Sequence, residues 1–235
     1  MHVSKLPLPS SLHDLPSDSP YHDRYSGTLF GLMYTYVVVS PWIYRTTYSF
    51  SPASQSLSFF GLVMGSVLAP LPIIAMDAYI YQPRLKRFNA NPENVDLPFP
   101  PEKRLFPALI GSITLPATLF AFAWTARSSI PWIIPIIFQS LAMLSSIMIY
   151  APTNLFMLDS YGPLYGASAS GAAMLSWYTL SAAFPLFSLK LYQALGVGWA
   201  TSLLGLLVLG TAPIPWLFVL CGKRLKGLIK YEVST

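Results

Sequence analysis

Two carboxylates, Asp77 and Asp159, border the long apolar runs of this sequence, and their placement bounds the chemistry within reach. An acid inside a bilayer is costly and is by default a functional group, either a proton carrier or a charge partner. Both aspartates stand at the ends of apolar runs, and Asp77 is followed by Arg84, Lys86 and Arg87. Ion pairing at a membrane surface, where paired charges add little stability but can switch between states, fits that position better than proton carriage. The uncharged candidates lie deeper. Tyr34, Tyr36, Gln139 and Trp177 each fall near the middle of an apolar run. An amphipathic ring or amide at that depth can stack on or hydrogen-bond a bulky, partly apolar solute, and aromatic faces also suit cations. Ordinary helix packing is the competing reading for all four. Asn154, costly to bury unpaired, is expected to bond a neighbouring helix.

Other chemistries lack their residues. His2, His13 and His22 all precede residue 25, leaving no histidine at membrane depth as ligand or proton carrier. Cys221 is the only cysteine, which rules out an intramolecular disulfide and a thiolate cluster. No metal site and no cofactor is expected. A small membrane enzyme of the terpene cyclase or prenyltransferase kind would need cavity carboxylates to protonate an alkene or hold Mg²⁺ on a diphosphate. No acid pair and no mid-span acid occurs here, so an enzyme is not the expectation. That reading and a regulatory membrane subunit without an activity of its own stand as alternatives.

These groups must be positioned by membrane helices. Of 235 residues, 54% are hydrophobic and 10% charged, against about 25% charged in soluble domains. The polar stretch Tyr81 to Leu105 carries Arg84, Lys86, Arg87, Lys103 and Arg104 between two long uncharged runs. Each run exceeds the roughly 20 residues that a helix needs to cross a bilayer. Reading outward gives an all-α integral membrane fold with spans at about 25–44, 56–80, 106–126, 132–158, 167–189 and 197–219. Residues 1–24 read as a disordered leader without the apolar core of a signal peptide, and 222–235 as a basic tail. With both termini cytosolic, eleven Lys and Arg fall on the cytosolic side and three, Arg45, Arg127 and Lys190, on the other. The net charge of +5 is thereby explained by topology. Nucleic acid is not an expected partner, because the basic residues cluster at span ends rather than along one face. Gly61 and Gly65, four apart, predict close approach of another helix, as does the small-residue run Gly166 to Ala173.

From the polar loop onward, a series of landmarks occurs in a fixed order. It includes Pro101-Glu102-Lys103-Arg104-Leu105, Pro107, Gly111, Pro116, Phe122-Ala123-Trp124-Thr125, Asp159-Ser160-Tyr161, Phe184-Pro185-Leu186-Phe187, Gly196-Val197-Gly198-Trp199 and Pro213-Ile214-Pro215-Trp216. This order resembles the carboxy-terminal half of a fungal major facilitator superfamily transporter, in the drug:proton antiporter branch that includes polyamine and multidrug exporters. Asp77 to Arg87 resembles a degenerate copy of that superfamily's cytosolic loop motif. The resemblance implies a six-helix bundle equivalent to one half of the fold, a small organic solute as cargo, and the plasma membrane as location. It places Tyr34, Tyr36, Gln139 and Trp177 on helices that face a central cavity, and Asp77, Arg84, Lys86, Arg87 and Asp159 at a cytosolic gate. It also implies that a second half, from a homodimer or a separate amino-terminal partner, completes the cavity. Ala173 and Trp177 depart from the Asn and Arg common at those positions.

Overall fold

Every described element is helical, the solution open to a single apolar chain whose backbone groups must satisfy one another without water. The computed structural model describes residues 19–90, 101–213, 215 and 216, apart from the side chains of 19–26, 101, 102, 157–170, 172, 173, 176 and 180. The start of the leader, the Asp159 side chain, the end of the last span and the basic tail lie outside the described residues.

Helix α1 spans Ser19–Tyr48 and carries Pro41 within it. Ser49, at φ 55°, ends it. The short α2 (Pro52–Gln55) is capped by Ser51, whose side chain accepts from the Ser54 N–H, and leads into α3 (Leu57–Leu68). Helix α4 (Pro70–Met76), a π-helical turn (Asp77–Tyr81) and α5 (Gln82–Asn89) continue the same run. A 3₁₀ turn, Pro101–Leu105, precedes α6 (Phe106–Thr125). The remainder is the helical stretch α7, Ile133–Thr211.

Helix α7 is not one rod. The rings of Tyr150 and Trp177 lie 5.4 Å apart, although one straight helix would separate them by about 40 Å. Tyr192 and Thr201 share a hydroxyl–hydroxyl hydrogen bond of 2.9 Å where a straight helix would hold them about 13 Å apart. The chain therefore reverses once between Tyr150 and Trp177 and again near Gly196, whose φ of +74° is a left-handed conformation open to glycine. Among the described residues, four helical stretches are long and apolar enough to cross a membrane: Pro52–Asn89, Lys103–Thr125, Ile133–Phe156 and Trp177–Thr211. The last contains the Gly196 reversal. Helix α1 has the length but is diluted by tyrosines and hydroxyls.

The first third of α7 forms the axis against which α3 and α6 pack, and glycine decides both contacts. A Cβ on Gly65 would overlap the Ser140 carbonyl, and one on Gly61 would sit 2.9 Å from the Ile136 carbonyl. A Cβ on Gly111 of α6 would lie 2.7 Å from Ile149 Cγ1. Small residues drive such contacts because lipid tails are as apolar as leucine, so van der Waals approach rather than water exclusion holds the helices together. A Cβ on Gly171, from the small-residue run, would meet none of the described residues within 4 Å. Helix α1 joins the core through Leu29, Leu32, Val39 and Ile43, beside Leu115, Leu119 and Phe122 of α6 and Leu204 and Val208 of α7. Buried hydroxyls are absorbed locally: Thr35 donates to the Gly31 carbonyl at 2.9 Å and Ser181 to the Trp177 carbonyl at 2.7 Å.

Candidate functional site

Helix α1 carries a polar stripe through the apolar core. Tyr36, Ser40 and Tyr44 recur every four residues and are all buried, one face of a helix. Gln139, fully buried on the first part of α7, meets the end of that stripe. Its Nε2 donates to Ser40 Oγ at 2.8 Å and to the Ser58 carbonyl at 3.3 Å. Tyr44 Oη donates to Gln139 Oε1 at 3.4 Å. One amide thus joins α1, α3 and α7, and its donors and acceptor are engaged together, as a buried amide requires.

Tyr36 lies one turn along the same face. Its ring meets Phe122 of α6 edge to face, with centroids 5.4 Å apart, while its hydroxyl is buried without a hydrogen-bond partner among the described residues. Farther along α1, Phe30 stacks on Trp177 at 5.8 Å and 11°, and Tyr150 closes edge-on against both rings. Asn154 Nδ2 donates to Tyr150 Oη at 3.2 Å, a bond within one helical stretch rather than to a neighbouring helix. Tyr34 points elsewhere: at 45% exposure it shares the outer face of α1 with Val37 and Val38.

The four central candidates therefore occupy four settings on or against α1: an amide clamp, an aromatic cluster, an unpaired hydroxyl and an exposed ring. Sequence reasoning missed Ser40, Tyr44 and Ser58, and the four-residue spacing of Tyr36, Ser40 and Tyr44 was the signal that could have found them. Phe30 and Tyr150 carry no comparable signal, because an aromatic residue in an apolar run marks neither face.

At the polar end, Asp77 Oδ2 accepts from Gln82 Nε2 at 3.1 Å. Among the described residues no ion pair joins Asp77 to Arg84, Lys86 or Arg87. Asp77 opens a π-helical turn whose i to i+5 bond runs from the Gln82 N–H to the Asp77 carbonyl, which sets the Gln82 side chain beside the carboxylate. Arg84 lies over the Phe106 ring at 4.7 Å. Arg104 lies over the Tyr81 ring at 5.0 Å and donates through Nε to Tyr81 Oη at 3.0 Å.

Helices packed through glycine, serine and threonine hydroxyls bonded back to their own helices and an uncharged polar seam define an all-α, multi-pass integral membrane protein. The MFS transporter cpaT of Aspergillus oryzae is 30% identical over 232 residues, 99% of this chain and 45% of its own length. The MFS-type efflux pump MFS2 of Trichophyton rubrum is 32% identical over 207 residues, covering 88% of this chain and 33% of the pump. The uncharacterized transporter C530.02 of Schizosaccharomyces pombe reaches 38% over 190 residues, 78% of this chain and 33% of that protein. No family model and no solved structure matches. Nearly the whole chain is thus similar to transporters of the major facilitator superfamily, and it spans less than half the length of these curated relatives.

Proposed function

We propose that the chain supplies one half of a carrier that exports a small, partly apolar organic solute, with its six spans equivalent to the carboxy-terminal half of the superfamily fold. The observation that carries this reading is the similarity, over nearly the whole chain, to proteins named as transporters and efflux pumps rather than enzymes. The solute path follows α1: Tyr36, Gln139 and Trp177 border it from within, and exposed Tyr34 faces the second half. That half comes from a homodimer or a separate amino-terminal partner, and transport proceeds by rocking of the two halves about a site between them. Both termini lie in the cytosol and the membrane is the plasma membrane. Asp77, Arg84, Lys86, Arg87 and Asp159 form the cytosolic gate, exchanging partners between states.

Size exclusion with light scattering, followed by efflux of a fluorescent apolar dye from vesicles, tests the reading. A dimer, or a complex with a co-expressed amino-terminal half, should deplete the dye faster than empty vesicles. A monomer that moves no dye with or without that half would overturn it.

A further inference from the structure

The run from α3 into α4 turns an apolar stripe outward. Phe60, Val63, Val67, Leu71 and Ile74 are all exposed at the three- and four-residue steps of one helix face. Where the stripe ends, the chain makes its π-helical turn and opens a cleft of about 220 Å³ lined by Tyr79, Ile80, Pro83, Arg84 and Arg87. The cleft is small beside the roughly 300–1,000 Å³ of pockets that hold drug-sized molecules, so it suits a headgroup better than a cargo.

Its chemistry is that of an anion site. Two guanidinium side chains reach it, and a guanidinium matches a phosphate with paired, charge-assisted donors. Arg84 is held over the Phe106 ring, which limits its rotamers before any ligand arrives. Asp77, the nearby carboxylate, is engaged by Gln82. Tyr79, 83% exposed, adds an amphipathic ring of the kind that is enriched at membrane interfaces.

We propose that this cleft binds the phosphate headgroup of an anionic membrane phospholipid whose acyl chains lie along the Phe60 to Ile74 stripe. The continuity of an apolar stripe with a basic cleft is what selects a lipid over a free anion. A soluble phosphate would use the arginines and leave the stripe without a role. Basic pockets at helix ends take anionic headgroups in this way, each Lys or Arg near the surface contributing about 1 kcal/mol. The site lies apart from Tyr36, Gln139 and Trp177, shares Arg84 and Arg87 with the proposed gate, and its test reads lipid retention rather than transport.

Native mass spectrometry of the full chain, released from micelles holding equal phosphatidylinositol and phosphatidylcholine, tests the proposal. Phosphatidylinositol should be retained about tenfold or more over phosphatidylcholine, in line with two arginines. Arg84→Gln with Arg87→Gln should bring the two lipids to parity, and Arg84→Lys with Arg87→Lys should keep part of the preference. Millimolar inorganic phosphate should leave the lipid in place. Equal retention by the unaltered chain, full retention by the glutamine pair, or displacement by phosphate would each overturn the proposal. Should the glutamine pair not fold, the preference of the unaltered chain and its partial survival in the lysine pair decide the matter.

Discussion

The Gln139 amide donates to the Ser40 hydroxyl at 2.8 Å across 99 residues of sequence, and this bond fixes the register of α1 against α7. Because Gln139 also holds the Ser58 carbonyl and accepts from Tyr44, its loss leaves several polar groups buried together. Gln139→Leu should therefore destabilise the chain by about 1–3 kcal/mol, the cost of orphaned donors and acceptors. A Ser40→Ala and Gln139→Leu double-mutant cycle should give a smaller coupling of about 0.6 kcal/mol and at most about 1.7. Unfolding in mild detergent measures both; additive single mutants would mean that the bond contributes nothing to stability.

A second expectation concerns glycines at closely packed positions. At Gly65 the obstacle to a Cβ is the Ser140 backbone carbonyl, whereas at Gly31 it is the Phe184 ring, 2.5 Å away, and at Gly210 no described residue lies within 4 Å. A ring can rotate aside, while a helix backbone moves only by displacing the whole contact. Folded yield and melting temperature should fall in the order Gly210→Ala, Gly31→Ala, Gly65→Ala, with Gly65→Ala the worst. Equal melting temperatures for the three would argue against close approach of α3 to α7.

The tight α3 contact was legible in the sequence because two glycines four apart have few other reasons to occur on an apolar helix. Tyr34 was not legible as exposed. A membrane helix is apolar on every side, so periodicity that marks the inner face of a soluble helix marks nothing here. Asp77 was expected to pair with the basic residues that follow it, Arg84, Lys86 and Arg87. The π-helical turn carries no evident sequence mark, and it gives Asp77 to Gln82 instead. The reversal near Gly196 was half visible: a break between spans was expected at Lys190, while the Tyr192 and Thr201 bond that closes it depends on both sides of the turn.

Gly196 leads to a third prediction. At φ +74° an L side chain is strained by roughly 1–2 kcal/mol, so Gly196→Ala should lower the melting temperature while Gly196→Asn, which tolerates the left-handed region, should lower it less. Tyr192→Phe should weaken the same turn through loss of the hydroxyl bond. If alanine and asparagine prove equal, the backbone conformation of the turn is not what limits stability.

Tyr36 separates packing from transport. Its hydroxyl is buried without a partner among the described residues while its ring packs edge-on against Phe122, so Tyr36→Phe keeps the ring and removes only the group that pays for burial. Deleting an unsatisfied buried hydroxyl should leave the melting temperature unchanged or raise it by the equivalent of about 1 kcal/mol. If the hydroxyl meets a polar atom of the solute, the same change should slow vesicle efflux of polar-substituted dyes severalfold while sparing their purely apolar analogues. Trp177→Phe provides the contrast: it sits inside the Phe30 and Tyr150 cluster, so it should cost stability and affect all dyes alike. A Tyr36→Phe protein that is markedly less stable would show that the hydroxyl has a structural partner. One that is stable and transports both dye classes normally would remove Tyr36 from the solute path.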